Sequence, residues 1–117
     1  MAKKPLETLS ETMFYTLMAL TQAEMCGTEA AAYVQCLTDG RVRMGPGTLY
    51  TILSNFQTEG LIEKRREEGR RITYGITARG KAVYAAELER LRRCLADAEQ
   101  ARGGREDERE DLAAAAL

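Results

Sequence analysis

The 117 residues contain no histidine, no tryptophan and only two prolines. Without histidine the chain lacks the side chain most used for proton transfer near neutral pH and for holding metals. Clustered carboxylates, a phosphate loop and a nucleophile beside a base are also missing, so no enzymatic activity, cofactor or metal is expected. Cys26, Cys36 and Cys94 are odd in number, far apart and form no Cys-x-x-Cys pair. This spacing argues against a disulfide framework and against a zinc site. The three are expected to act as small buried hydrophobes. No apolar stretch approaches the roughly 18–20 residues that span a bilayer. Met1-Ala-Lys-Lys-Pro5 is not followed by the apolar run of a secretory signal. A cytoplasmic protein with no membrane partner is expected.

Charge is present but unevenly placed. The net charge is −1, yet residues 1–81 hold 11 Lys or Arg against 9 Asp or Glu, whereas residues 82–117 hold 6 against 9. Residues 64–81 alone hold seven basic side chains against two acidic ones. Positive charge gathered in one segment is the kind of local field that attracts phosphates.

The hydrophobic pattern gives three helices in succession. Thr8-Leu9-Ser10-Glu11 has capping-box spacing, and Met13, Phe14, Leu17, Met18 and Leu20 then recur at helical intervals to about Gln22. Cys26-Gly27 interrupts this, and Thr28 is expected to cap a second helix with a stripe of Ala30, Tyr33, Val34 and Leu37. Gly40 suits the left-handed position that ends it. Arg41–Met44 alternates but is too short for more than an extended connection or a brief strand. Pro46 fits the first position of a third helix, where a missing N–H costs nothing. Leu49, Ile52, Leu53 and Phe56 form its apolar face, and Gly60 closes it.

The period then changes to two. The runs 61–67 and 71–77 read as strands, with Ile72, Tyr74 and Ile76 on one face and Gly69 in the turn between them. Thr77 caps a long fourth helix whose Tyr84, Leu88, Leu91, Leu95 and Ala98 make a heptad seam. The fold class is thus mainly α with a small two-stranded wing: a winged helix-turn-helix plus a C-terminal dimerisation helix. Residues 1–81 form the winged domain and 82–102 the dimerisation helix. Residues 103–117 are expected to be a disordered charged tail, ending in an Ala-rich stretch that reads as vector-encoded linker.

Four words of sequence carry a family resemblance: Gly47-Thr48-Leu49-Tyr50-Thr51-Ile52-Leu53, Glu59-Gly60-Leu61-Ile62, Arg70-Arg71-Ile72-Thr73-Tyr74 and Ile76-Thr77-Ala78-Arg79-Gly80. In their order and spacing they resemble the PadR family of bacterial transcriptional regulators, over residues 10 to 95. The short branch of that family ends in one long dimerisation helix, as here. One word departs: the family commonly opens its second helix with His-Gly-Tyr, and this chain has Cys26-Gly27-Thr28. The resemblance implies a dimeric DNA-binding transcriptional regulator, expected to be a repressor released by a hydrophobic or aromatic small-molecule effector near the dimer helices.

Candidate site residues follow from the faces of these elements. On the third helix Gly47, Thr48, Tyr50, Thr51, Ser54 and Asn55 lie away from the apolar stripe, with Thr58 at its end. An uncharged face of hydroxyls and amides can donate to phosphates and read base edges. Lys64, Arg65, Arg66, Arg70 and Arg71 on the wing are candidates for the DNA backbone or the minor groove. Lys3 and Lys4 are candidates for further backbone contacts. Tyr84, Leu88, Leu91 and Leu95 are the expected dimer interface, and Phe14, Met18, Tyr84 and Leu88 the candidate effector pocket. A two-fold dimer implies a pseudo-palindromic double-stranded operator. The alternative is a winged helix that uses its basic wing to hold an acidic protein partner without specific DNA binding.

Overall fold

The structure, a computed structural model, describes residues 8–103. Lys3 and Lys4 and the expected tail beyond Gly103 lie outside the described residues. The order of elements is α1 (Glu11–Gln22), β1 (Met25–Cys26), α2 (Gly27–Leu37), α3 (Pro46–Thr58), β2 (Ile62–Glu68), β3 (Arg71–Ile76) and α4 (Ala78–Gly103). Residues up to Glu87 form one compact unit and those from Leu88 onward a second.

In the first unit, α3 buries the stripe expected of it: Leu49, Ile52, Leu53 and Phe56. They pack with Leu17 and Leu20 of α1, with Leu61 and Ile62, and with Tyr74 and Ile76 of β3. Phe56 and Leu17 are wholly buried, and truncating a phenylalanine so placed costs about 3–5 kcal/mol. A smaller cluster of Ala19, Ala30, Val34 and Val42 joins α1 to α2. Beneath it Thr16, a polar residue inside the core, donates its hydroxyl to the Thr12 carbonyl at 2.7 Å and lies 3.2 Å from Met44 Sδ. That internal bond is what makes its burial tolerable.

The caps differ from expectation at two helices. Ser10, not Thr8, caps α1, its hydroxyl accepting from the Met13 N–H at 3.2 Å. Cys26, not Thr28, stands at the N-cap of α2, and the Glu29 carboxylate reaches back to accept from the Cys26 N–H at 2.9 Å. Pro46 begins α3 as expected. Thr77 accepts from the Gly80 N–H at 3.0 Å at the start of α4. Gly40, Gly60 and Gly69 all take positive φ at the three chain reversals, where a side chain would be strained.

The wing is a hairpin with the expected turn, but the sheet has three strands, not two. Met25 and Cys26 pair with Tyr74 and Thr73, so β3 is the central strand, in the order β1-β3-β2. β1 is two residues long, too short to leave a periodic signal. In β2 the register shifts between Lys64 and Arg66, leaving Arg65 as a bulged extra residue.

Two further expectations are corrected by burial. Leu37, assigned to the apolar stripe of α2, is 52 % exposed. Of the three cysteines only Cys26 is buried; Cys36 and Cys94 are exposed, and all three are free thiols. At the start of α1, the Glu87 carboxylate accepts from the Leu9 N–H at 2.8 Å, and both residues are buried.

The second unit is the helical stretch from Leu88 to Gly103. Leu91 and Leu95, successive members of the heptad seam, are 36 % and 59 % exposed. Arg93 and Glu89 pair at 3.4 Å, one turn apart. No helix among the described residues is long and apolar enough to cross a membrane.

Candidate nucleic-acid interface

The apolar stripe of α3 fixes which side of that helix is left outside. Gly47, Thr48, Tyr50, Thr51 and Ser54 are exposed and Asn55 is half-buried. Two of the outer hydroxyls are already engaged by their own helix: Thr51 donates to the Gly47 carbonyl at 2.9 Å and Thr58 to the Ser54 carbonyl at 3.0 Å. Their oxygens keep lone pairs for a donor from outside. Tyr50 is 59 % exposed, which is unusual for a ring this size.

The five basic residues of the wing are not equivalent. Arg65 folds onto the sheet: its guanidinium donates to the Ile76 carbonyl at 3.2 Å and pairs with Glu63 at 2.6 Å and Glu24 at 3.5 Å. Its stem lies across Gly75, where a Cβ would overlap it. Arg66 is more loosely held, 3.8 Å from Glu68 and 4.0 Å from Glu24. Arg71 pairs with Glu29 at 3.0 Å. Lys64 and Arg70 are exposed, and among the described residues neither has an ion pair or side-chain hydrogen bond. Arg70 sits in the two-residue turn beside Gly69, the outermost point of the hairpin.

Between the wing and the first turn of α2 lies a cleft of ≈ 290 Å³. It is lined by Cys26, Gly27 and Thr28 at the start of α2, by Arg70, Arg71, Ile72 and Tyr74 of the wing, and by Tyr50 of α3. Burial pushes the Tyr74 hydroxyl above its ordinary range, with Tyr50 and Glu67 nearby adding to the effect. Glu29 is held in the opposite sense, below the usual carboxylate range. The largest cause is the hydrogen bond from the Cys26 backbone, and Arg71 contributes less. Glu29 therefore stays ionised beside the arginine at neutral pH.

The α3 face, the wing and the cleft thus come together on the first unit. The sequence pattern had singled out neither Glu29 nor the first turn of α2 as part of this surface. The one available signal was Glu29 three residues after Cys26, the spacing of a capping box with cysteine in place of the usual Ser or Thr.

The candidate effector residues are placed differently. Phe14 and Tyr84 stack nearly parallel, with centroids 5.2 Å apart and planes 12° from each other. Met18 is half-buried on the same helix as Phe14, and Leu88 belongs to the second unit.

Similar architecture is found in solved regulators. A PadR family transcription regulator from Clostridium difficile shares 19 % identity at a TM-score of 0.67, over 78 % of this chain and 97 % of its own. A PadR-like transcriptional regulator from Bacillus cereus shares 20 % at 0.67, over 80 % and 93 %. The RosR protein of H. salinarum shares 23 % at 0.61, over 95 % and 98 %. At these identities the likeness establishes the fold. No curated protein matched the sequence. The model of the transcriptional regulator PadR-like family matches residues 16–86, more than half of the sequence. The chain belongs to the PadR-like family of transcriptional regulators.

Proposed function

We propose that the protein is a homodimeric, sequence-specific DNA-binding repressor that reads a pseudo-palindromic operator. The observation that carries this reading is the outer face of α3. Gly47, Thr48, Tyr50, Thr51 and Ser54 are exposed and uncharged, with Asn55 beside them. A helix kept outside merely by solvation would carry Lys and Glu; this one carries groups suited to base edges. Its N-terminus brings unpaired backbone N–H groups and the positive end of the helix dipole, both suited to a phosphate.

In this reading α3 enters the major groove. Arg70 at the turn and Lys64 on β2, which have no internal counter-charge among the described residues, meet the phosphates first. Arg66 and Arg71 follow by exchanging a carboxylate for a phosphate. Arg65 supports the wing rather than touching DNA, because its guanidinium is committed to Glu63, Glu24 and the Ile76 carbonyl.

Dimerisation rests on the seam Tyr84, Leu88, Leu91 and Leu95. Leu91 and Leu95 keep 36 % and 59 % of their surface in water, so each forgoes part of the roughly 1.5–3 kcal/mol that full burial of a leucine is worth. A twin helix would cover them. An effector acting at Phe14, Met18 and Tyr84 would have to part the stacked rings of Phe14 and Tyr84, which gives it a route to disturb the base of α4 and release the operator.

Affinity for duplex DNA measured against salt tests this reading. Binding that falls steeply as salt rises, with a slope of about −0.9 for each phosphate neutralised, is the expected result. No retention of any duplex at low salt would overturn it and favour an acidic protein as the partner of the wing.

A further inference from the structure

We propose that Glu29 is a built-in substitute for a DNA phosphate, occupying Arg71 until DNA displaces it and so limiting how tightly the wing binds. The inference rests on the DNA-binding reading above and adds a residue whose role opposes binding.

The geometry carries it. One Glu29 oxygen, Oε1, accepts from the Cys26 N–H at 2.9 Å; the other, Oε2, faces Arg71 Nη2 at 3.0 Å. The carboxylate is tied at one end to the first turn of α2, so it cannot swing away with the arginine. It presents a negative oxygen to Arg71, which itself lines the ≈ 290 Å³ cleft together with Arg70, Thr28 and Tyr50. Arg71 is 58 % exposed and Glu29 47 %. The pair is accessible enough to open, and ion pairs of this exposure are weak. Arg70, the adjoining residue in the same cleft, has no such carboxylate among the described residues. Two neighbouring arginines therefore face the same space with only one of them neutralised.

The consequence is a balance of counterions. When Arg71 leaves Glu29 for a phosphate, DNA releases a bound cation, but the freed carboxylate, held beside the phosphates, restores the negative charge that keeps a cation there. The two nearly cancel, so Arg71 adds little to the salt dependence while Glu29 is present. Without that charge, Arg71 should contribute like any phosphate-binding arginine.

The test uses the full chain and an unrelated duplex of fixed sequence, with affinity followed across salt. Glu29→Gln keeps an acceptor for the Cys26 N–H, since Gln serves in a capping box as Glu does, and removes only the charge. The expected result is a two- to fivefold gain in affinity at low salt, about what an exposed ion pair is worth. The salt slope should steepen by up to about 0.9. Glu29→Ala, which gives up the cap as well, should show the same steeper slope. In an Arg71→Ala background Glu29→Gln should leave the slope nearly unchanged and give only the small affinity gain of removing one negative charge from a DNA-facing surface. A purely structural cap would not move the slope and would not depend on Arg71. An unchanged slope, or weaker binding by folded Glu29→Gln protein, overturns the inference while leaving the DNA-binding reading intact. Failure of the wild-type chain to bind any duplex overturns both.

Discussion

Gly80 packs directly beneath the carbonyl of Leu61. A Cβ at Gly80 would overlap the Leu61 oxygen and come within 2.7 Å of Ile76 Cγ1. The same carbonyl accepts from the Thr77 N–H at 3.0 Å, and the Thr77 hydroxyl both donates to the Gly60 carbonyl at 2.7 Å and caps Gly80. The start of α4 is thus locked to the residues that close α3, which explains physically why Ile76-Thr77-Ala78-Arg79-Gly80 ends in glycine.

Gly80→Ala should therefore destabilise the fold, although alanine is the better helix former by about 1 kcal/mol. The clash is with backbone, which cannot move aside as a side chain would, and overpacking of this kind costs about 1–3 kcal/mol or more. A lowered thermal midpoint by circular dichroism, by about 5 °C or more, is the expected outcome. An unchanged or raised midpoint would show that the contact is loose.

Arg65 and Arg70 should separate cleanly. Arg70→Ala is expected to weaken binding to all duplexes alike and to flatten the salt slope by about 0.9, as loss of one phosphate contact does. Arg65→Ala should leave the slope nearly unchanged and instead lower the thermal midpoint, because it removes the cover from Gly75 and the bond to Ile76. A reversal of the two results would exchange their roles.

Much of this was legible in the sequence, and what was not has identifiable causes. The stripe of α3 and the caps at Pro46 and Thr77 follow from residue type and period. So do the turn at Gly69 and the breaks at Gly40 and Gly60. β1 was invisible because two residues cannot alternate; only its pairing with Tyr74 and Thr73 makes it a strand. The cap of α1 lies two residues beyond the Thr8 that the capping-box spacing points to, because Thr8 and Ser10 both offer a hydroxyl. Thr16 and Ala19 complete the buried face of α1, yet a small or polar side chain leaves no mark on a hydrophobic stripe. Within the site, sequence supplied five basic residues as a group. It could not divide them, because Glu24 and Glu29 reach the wing only through the fold.

Stability in acid should report on Glu29. Its carboxyl is held below its ordinary value of 4.5, first by the Cys26 backbone hydrogen bond. A depressed folded value means that the stabilisation is fully present above about pH 4.5. It is lost as pH falls through the lower folded value. The thermal midpoint of the wild-type chain should thus fall more steeply below pH 4.5 than that of Glu29→Gln. Parallel curves for the two proteins would remove Glu29 from the acid response.

Tyr50→Ala should damage DNA binding while leaving the oligomeric state unchanged, because the ring is 59 % exposed on the outer face of α3. A paired change on the seam, Leu91→Glu with Leu95→Glu, should do the opposite at first: sedimentation should give a monomer whose winged unit remains folded. If Tyr50→Ala dissolves the dimer, or the double change leaves it intact, the two surfaces have been assigned the wrong way round.

The central claim is that a dimer reads DNA sequence through α3. Selection from a pool of random duplexes by the purified chain tests it most directly. The account predicts recovery of a two-fold-related motif, its half-sites one helical turn or about 34–36 Å apart. Recovery of no motif, with binding that depends on salt but not on sequence, would contradict it.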